Sequence, residues 1–177
     1  MPPGPPIQRL CRSDRLTPID VAAALVPAML REFDERAAMR VEEVAVRFHA
    51  AGAAAVDLAG DEQRFPDIAP FVRVFATARD TGLGATEHAA EARPAAAARE
   101  AHELLGVDRI GHGSRVVLDP DVLSWAAATN LCFEVCPTSN VLTVAVSDLA
   151  SHPLKPMLAA GLRVVLGDDD PLSTTDQ

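Results

Sequence analysis

Short apolar runs alternate with longer amphipathic stretches along most of this chain, and polar residues follow each apolar run. The apolar runs have the length of buried strands and cover residues 53–58, 83–88, 109–113, 131–135 and 162–166. The amphipathic stretches have helical spacing and cover residues 67–79, 94–105, 119–128 and 152–160. Strand, loop and helix thus repeat about five times at spacings of roughly 20 to 30 residues, which predicts an α/β fold with a parallel sheet.

The segment before the first of these strands has a different pattern. Residues 1–16 begin with a proline-rich stretch and are predicted to form a loose N-terminal segment, in which residues 7–11 could be a short strand. Thr17 and Pro18 are typical of a helix start, and an alanine-rich helix is expected over residues 20–50. Pro27 should kink or split this helix, and Gly52 should end it. We therefore expect one domain over residues 17–177.

Composition narrows the class of protein. Hydrophobic residues make up 49% of the 177 residues and charged residues 23%, which is enough apolar material for a packed core. The net charge of −9 comes without a basic stripe that carries aromatic residues, so a nucleic-acid surface is not expected. The apolar runs are too short to span a bilayer, and the N-terminus does not resemble a signal segment, so we expect a cytoplasmic protein without a membrane partner.

The polar residues behind the strands are the candidates for chemistry, because the carboxyl ends of parallel strands share one edge of a sheet. His88 ends one strand, and Glu91 follows three residues later with only alanines between them. An imidazole that binds a metal and a carboxyl group that donates a proton could therefore converge on one pocket. The alternatives are a hydrogen-bonded histidine and a carboxylate that favours the N-terminus of a helix.

Three further strand ends carry candidate groups. His112 lies between two glycines, which either leave its ring unobstructed or serve a turn alone. The adjacent carboxylates Asp168, Asp169 and Asp170 would be stabilised by a cation. The alternative interpretation is an acidic loop exposed to solvent. The backbone N–H of Gly60 could meet a flat ligand, or Gly60 could simply form a turn.

The cysteine content excludes a disulfide framework, and the absence of common motifs excludes several classes of enzyme. Three cysteines cannot form a disulfide framework, and Cys132 and Cys136 indicate a reduced buried pair or, as an alternative, a metal site. The sequence has no serine-hydrolase elbow, Walker loop or dinucleotide-binding fingerprint. It also lacks the second cysteine that the small zinc deaminases carry after a Pro-Cys pair.

Five segments in this order resemble the adenosine deaminase family, a branch of the metal-dependent amidohydrolases. They are Asp57-Leu58-Ala59-Gly60-Asp61-Glu62, His88-Ala89-Ala90-Glu91, Arg109-Ile110-Gly111-His112-Gly113, Cys136-Pro137-Thr138-Ser139-Asn140 and Asp169-Asp170-Pro171. The resemblance covers residues 53–172 well and the N-terminal third loosely. It implies a parallel (β/α)₈ barrel of the TIM type that is incomplete here, because the N-terminal strands are missing.

The resemblance also implies a reaction and a cofactor. The reaction is hydrolytic deamination of adenosine or a related 6-aminopurine, and the cofactor is one zinc ion with His88 and Asp169 as ligands. Glu91 would donate a proton to N1 of the purine, and His112 would orient or deprotonate the attacking water. Asp170 would bind the purine and help to place the nucleophile. The backbone of Gly60 would contact the purine ring.

The sequence departs from the family pattern in three places. Ala90 stands where the family has glycine, and Gly167 and Asp168 stand where an Asn-Thr or Asn-Ser pair is usual. The family's N-terminal His-x-His pair of zinc ligands is absent from the sequence. We therefore expect an incomplete ligand set, with another chain completing the barrel. The alternative is a non-catalytic remnant that acts at most as a purine-binding or interaction module.

Overall fold

The computed structural model describes residues 23–169 of the chain. Six β-strands alternate with helices in this part: β1 (Ala28–Leu30), α1 (Glu35–Arg47), β2 (Ala55–Ala59), α2 (Val72–Asp80), β3 (Gly84–Ala89), α3 (Ala96–Leu105), β4 (Arg109–His112), α4 (Pro120–Ala128), β5 (Cys132–Val135), α5 (Pro137–Leu142), α6 (Leu154–Ala159) and β6 (Arg163–Leu166). Short 3₁₀ turns cover His49–Ala51, Ala69–Phe71 and Ser114–Leu118.

All six strands form one parallel sheet in the order β1-β2-β3-β4-β5-β6. Each strand pairs with the next strand along the chain, so every connection is a crossover that leads to the neighbouring strand of the sheet. Consequently the carboxyl ends of all strands meet at one edge of the sheet. Strands β2 to β6 confirm the predicted parallel α/β fold.

One face of the sheet packs against the helices and forms the core. Side chains alternate between the two faces of a strand, so every second residue of β2 to β5 points into this layer. Its largest fully buried members include Leu58, Phe75, Leu105, Ile110 and Phe133. The other face is partly polar: Glu134 accepts hydrogen bonds from Thr86 and Arg109 at 3.0 and 2.7 Å.

Local sequence signals explain where the helices begin and end. Asp34 caps α1 by accepting a hydrogen bond from the Ala37 N–H. Asp119 caps α4 in the same way, and Pro120 occupies the first helical position, where no N–H is needed. Gly106 ends α3 in a left-handed conformation.

The predicted helix over residues 20–50 is wrong over residues 23–34. Within the described residues, helix begins only at Glu35, and Ala28–Leu30 form β1, which pairs in register with Asp57–Ala59 of β2. Pro27 lacks an N–H and disfavours helix in the residue before it, so the chain is free to extend and to complete the ladder with β2.

Other predictions have mixed outcomes. Helix α5, which begins with Pro137 at its first position, was not predicted from the sequence. The loose segment over 1–16 and the strand over 7–11 lie outside the described residues. Cys132 and Cys136 are buried and have free thiols. Among the described residues, no helix is both long and apolar enough to cross a bilayer.

Candidate active site

Three side chains that could bind a metal converge at the carboxyl edge of the sheet. His88 belongs to the end of β3, His112 ends β4, and Asp169 lies just after β6. Their possible ligand atoms lie within 4.8 Å of one another. The Nε2 atoms of His88 and His112 are each 3.9 Å from an oxygen of Asp169. The structure thus brings together three residues that the sequence analysis placed at separate strand ends.

The setting of His88 suits a metal ligand. Its Nδ1 lies 3.2 Å from the carboxylate of Asp57 on β2. A carboxylate can only accept, so Nδ1 carries a proton and a neutral ring has its lone pair on Nε2, towards Asp169. Burial opposes protonation of the ring, but the neighbouring carboxylates of Asp169 and Asp57 outweigh it and raise the pKa of His88 to about 10. The same two carboxylates would attract a metal cation.

Asp169 is held by a neighbour from α5. The Ser139 hydroxyl donates a hydrogen bond of 2.6 Å to its Oδ2. The nearby His88 imidazole holds the pKa of Asp169 well below its usual range, and the hydrogen bond from Ser139 adds to this effect although burial opposes it. Asp169 is therefore an anion whose orientation the Ser139 hydroxyl fixes.

Glu91 enters the same pocket from the loop after β3. Its Oε1 accepts hydrogen bonds from Asn140 at 2.8 Å and from Thr143 at 2.9 Å. Its Oε2 lies 3.7 Å from Nε2 of His112. One oxygen is thus anchored, and the other faces the pocket, where it could exchange a proton with a bound molecule. Burial lowers the pKa of His112, and the attraction of Glu91 opposes this shift.

A buried carboxylate fixes the loop that carries Glu91. Glu62, from the loop after β2, accepts hydrogen bonds from the backbone N–H groups of Ala90, Ala92 and Arg93. Ala90 has a left-handed conformation with φ of 56°, which explains why glycine suits this position. The methyl group of Ala90 is fully buried, so the loop accommodates it.

The remaining predicted site residues have different positions. Gly60 lies in the loop after β2 with φ of 98°, and the carboxylate of Glu32 occupies the space into which a side chain would point. Asp168 is exposed. Asp170 lies outside the described residues, so its predicted roles stay predictions.

Four residues of the site had no assigned role in the sequence analysis: Asp57, Glu62, Ser139 and Asn140. All four belong to the motif segments at strand ends. Asp57 is also the single acid in an otherwise apolar strand, and such a residue needs a buried partner. This signal could have identified Asp57 as the partner of a histidine on the next strand.

The donor set fits zinc. An imidazole nitrogen and a carboxylate oxygen, which His88 and Asp169 offer, are ligand types of catalytic zinc sites. His88 in addition has the carboxylate partner that orients metal-binding histidines.

The family model for adenosine deaminase matches residues 13–176. The chain belongs to the adenosine deaminase family. It is 43% identical over 151 residues to an adenosine deaminase of Klebsiella pneumoniae (strain 342), an alignment that covers 85% of this chain and 45% of that protein. This member of the adenosine deaminase family therefore spans a little under half the length of the curated relatives that it matches.

Solved structures confirm the fold. A crystal structure of adenine deaminase from Arthrobacter aurescens matches with a TM-score of 0.76 and 38% identity, over 84% of this chain and 45% of that one. An amidohydrolase from Burkholderia ambifaria, solved with bound Zn, matches with a TM-score of 0.75 and 27% identity, over 85% and 42%. The six strands are thus part of a (β/α)₈ barrel of the TIM type, and the prediction of an incomplete barrel is confirmed.

Proposed function

We propose that this chain carries the metal site and the proton donor of a zinc-dependent enzyme that deaminates adenosine or a related 6-aminopurine. For adenosine, water would replace the 6-amino group, giving inosine and ammonia. The observation that supports this most directly is the convergence of His88, His112, Asp169 and Glu91 at one sheet edge. Membership in the adenosine deaminase family supports the reaction type.

His88 and Asp169 would hold the metal. Zinc, when bound, lowers the pKa of a coordinated water towards about 7 and so supplies a nucleophile at neutral pH. The hydrogen bond from His88 to Asp57 would orient the ring, and the hydrogen bond from Ser139 would orient Asp169.

Glu91 would act as the general acid. Its anchored Oε1 leaves Oε2 free to donate a proton to N1 of the purine, which makes C6 more electrophilic. The water oxygen would then bond to C6, and the amino group would leave with a proton as ammonia. His112 lies 3.7 Å from Oε2 of Glu91 and would orient or deprotonate the attacking water.

The substrate within the 6-aminopurine class follows from no single residue of this chain. The relatives include proteins named adenosine deaminase and adenine deaminase, so nucleoside and free base are both candidates. We propose that Asp170 binds the purine and that the backbone of Gly60 contacts it. A cytoplasmic location and another chain that completes the barrel likewise stay predictions.

The test combines metal analysis with an assay of ammonia release. We expect the purified protein to bind close to one zinc ion per chain and to release ammonia from adenosine or adenine. Glu91→Gln should lower turnover by roughly 100-fold or more with little change in zinc content, because it removes only the proton donor. His88→Ala should lose the metal itself.

Glu103→Gln is the matched control, since Glu103 is exposed on α3 away from the sheet edge. It should leave both zinc content and turnover unchanged. Equal turnover in wild type and Glu91→Gln would remove Glu91 from its proposed role. A protein that neither binds zinc nor releases ammonia would favour the non-catalytic alternative.

A further inference from the structure

Asn140 is the centre of a hydrogen-bond chain that reaches both groups proposed for proton chemistry. It is fully buried. Its Nδ2 lies 2.8 Å from Oε1 of Glu91 and 3.0 Å from Nδ1 of His112. Its Oδ1 lies 3.2 Å from Nε2 of His152. One amide side chain thus has three partners, which together use both hydrogens of its amino group and its oxygen.

His152 determines which way the Asn140 amide faces. The backbone N–H of Leu154 donates to Nδ1 of His152 at 3.0 Å. A backbone N–H can only donate, so Nδ1 holds a lone pair and the proton of this ring lies on Nε2. That Nε2–H can donate only to an acceptor, so Asn140 must present its oxygen to His152. Burial also lowers the pKa of His152, which agrees with a neutral ring.

The amino group of Asn140 therefore faces the site. One hydrogen goes to the Glu91 carboxylate, an acceptor that requires the same amide orientation. The other points at Nδ1 of His112, which must accept it. The Leu154 N–H and the Glu91 carboxylate lie at the two ends of this hydrogen-bond chain, and each independently requires the same orientation of the Asn140 amide.

The consequence for His112 is a defined tautomer. A ring whose Nδ1 accepts a hydrogen bond carries its proton on Nε2, and Nε2 lies 3.7 Å from Glu91 and 3.9 Å from Asp169. An imidazolium would place a second donor against the Asn140 amino group, which the geometry disfavours. His88 has the opposite arrangement, because its Nδ1 faces the Asp57 carboxylate, which only accepts.

We infer that Asn140, oriented by His152, is a positioning residue that holds His112 as the Nε2–H tautomer. His112 then presents an N–H donor to the site, whereas a neutral His88 presents a lone pair to a metal. This assigns orientation of the attacking water to His112, rather than its deprotonation or metal ligation by the neutral ring. Only that catalytic assignment rests on the proposed function; the tautomer itself does not.

The test is nitrogen NMR of the imidazole rings in ¹⁵N-labelled, metal-free protein. Long-range ¹H–¹⁵N spectra distinguish a protonated nitrogen from one with a lone pair, and substitution of single histidines assigns the signals. We expect His112 and His152 each to be protonated at Nε2 and not at Nδ1. A wild-type His112 with its proton on Nδ1 would overturn the inference.

Asn140→Asp tests the cause, since the two side chains have nearly the same size. A carboxylate at this position would accept from both rings, so the proton of His112 should move to Nδ1. Thr143→Val is the matched control, because Thr143 donates to the same Glu91 oxygen without contacting His112. It should keep the Nε2–H tautomer. An unchanged His112 tautomer in Asn140→Asp would also overturn the inference.

His152 provides the second arm. His152→Leu frees the Asn140 amide and should give His112 a mixture of tautomers, whereas His152→Gln keeps a donor towards Asn140 and should restore the Nε2–H form. If the His112 signals are the same in wild type, His152→Leu and His152→Gln, then His152 does not orient the Asn140 amide. If wild type deaminates adenosine, Asn140→Asp should lower kcat roughly 10–100-fold with zinc retained. If it does not, the proposed function fails while the NMR result is unaffected.

Discussion

Gly111 lies opposite His88 in the ladder between β3 and β4, and the His88 ring packs directly over it. A Cβ atom at Gly111 would come within 3.1 Å of Cγ, 3.2 Å of Cα and 3.2 Å of Nδ1 of His88. Two of these three atoms belong to the ring that the Asp57 carboxylate orients. The absence of a side chain at Gly111 is therefore a condition for the position of the His88 ring.

We predict that Gly111→Ala lowers zinc affinity by roughly 10-fold or more, because the added methyl displaces the His88 ring from Asp57. Crowding should also cost about 1–3 kcal/mol of unfolding free energy. Competition with a chelator measures the affinity, and urea denaturation measures the stability. Gly84→Ala is the matched control, since its Cβ would crowd Ala55 at 3.3 Å, away from the site. It should lose stability but keep zinc affinity; equal affinity in both variants would contradict this role of Gly111.

The sequence predicts some residues of the site better than others. His88, His112 and Asp169 each follow an apolar run, so the rule that parallel strands end at one edge was enough to place them together. Asp57 lies 31 residues before His88, and their contact depends on the register of β2 against β3, which no local pattern specifies. Asn140 belongs to a short helix that was not predicted, so its direction towards His112 and Glu91 could not be derived.

At the scale of elements, β1 is the clearest case of tertiary structure overriding local preference. The alanine-rich stretch over residues 20–50 favours a helix by composition. Pro27 interrupts that preference, and the free edge of β2 then offers backbone partners to Ala28–Leu30. The local sequence therefore indicates that the helix is interrupted at Pro27, but it does not indicate that the following residues pair with β2. Strands β2 to β6 were predictable because each is bounded by turn residues and carries its own apolar run.

A buried ion pair joins β1 to β3 across the end of β2. Nη2 of Arg31, directly after β1, lies 2.5 Å from Oε1 of Glu87 and 2.6 Å from the carbonyl oxygen of His88. The two charged side chains are 0% and 1% exposed. Burial raises the pKa of Glu87 to about 7, although the attraction and hydrogen bond of Arg31 oppose the shift. The pair therefore makes the stability of the sheet depend on pH.

The sign of this dependence follows from the direction of the shift. Protonated Glu87 is favoured in the folded state, so its contribution is complete below the unfolded value of 4.5 and is lost as pH rises through about 7. We predict that Glu87→Gln gains stability relative to wild type between pH 5 and pH 8, by up to about 3 kcal/mol. Urea denaturation at several pH values measures the difference. For Glu103→Gln, on an exposed face, the free energy of unfolding should change with pH in the same way as for wild type. The same pH dependence in Glu87→Gln would show that Glu87 does not titrate in this range.

At the scale of the whole molecule, the two ends of the sheet differ from its centre. A closed barrel has no free strand edges, but β1 and β6 each pair with a single strand among the described residues. Exposed apolar side chains accompany both ends: Leu30, Phe33 and Val44 near β1, and Leu158 and Leu166 near β6. Phe33 and Val44 also line one apolar groove along α1. The chain spans about 45% of its relatives, in agreement with these open ends.

We predict that the chain associates with itself through the α1 groove, because free edges and exposed apolar faces favour contacts between copies. Sedimentation velocity should show a mass that rises with protein concentration. It should also rise with salt, since the net charge of −9 repels the copies and salt screens this repulsion.

The double variant Phe33→Gln, Val44→Gln should shift this association to higher concentration without changing the net charge. Leu118→Gln, at a side chain that is 73% exposed at the end of the 3₁₀ turn after β4, is the matched control and should associate like wild type. A monomer at all concentrations, or an equal effect of the control, would contradict association through this groove.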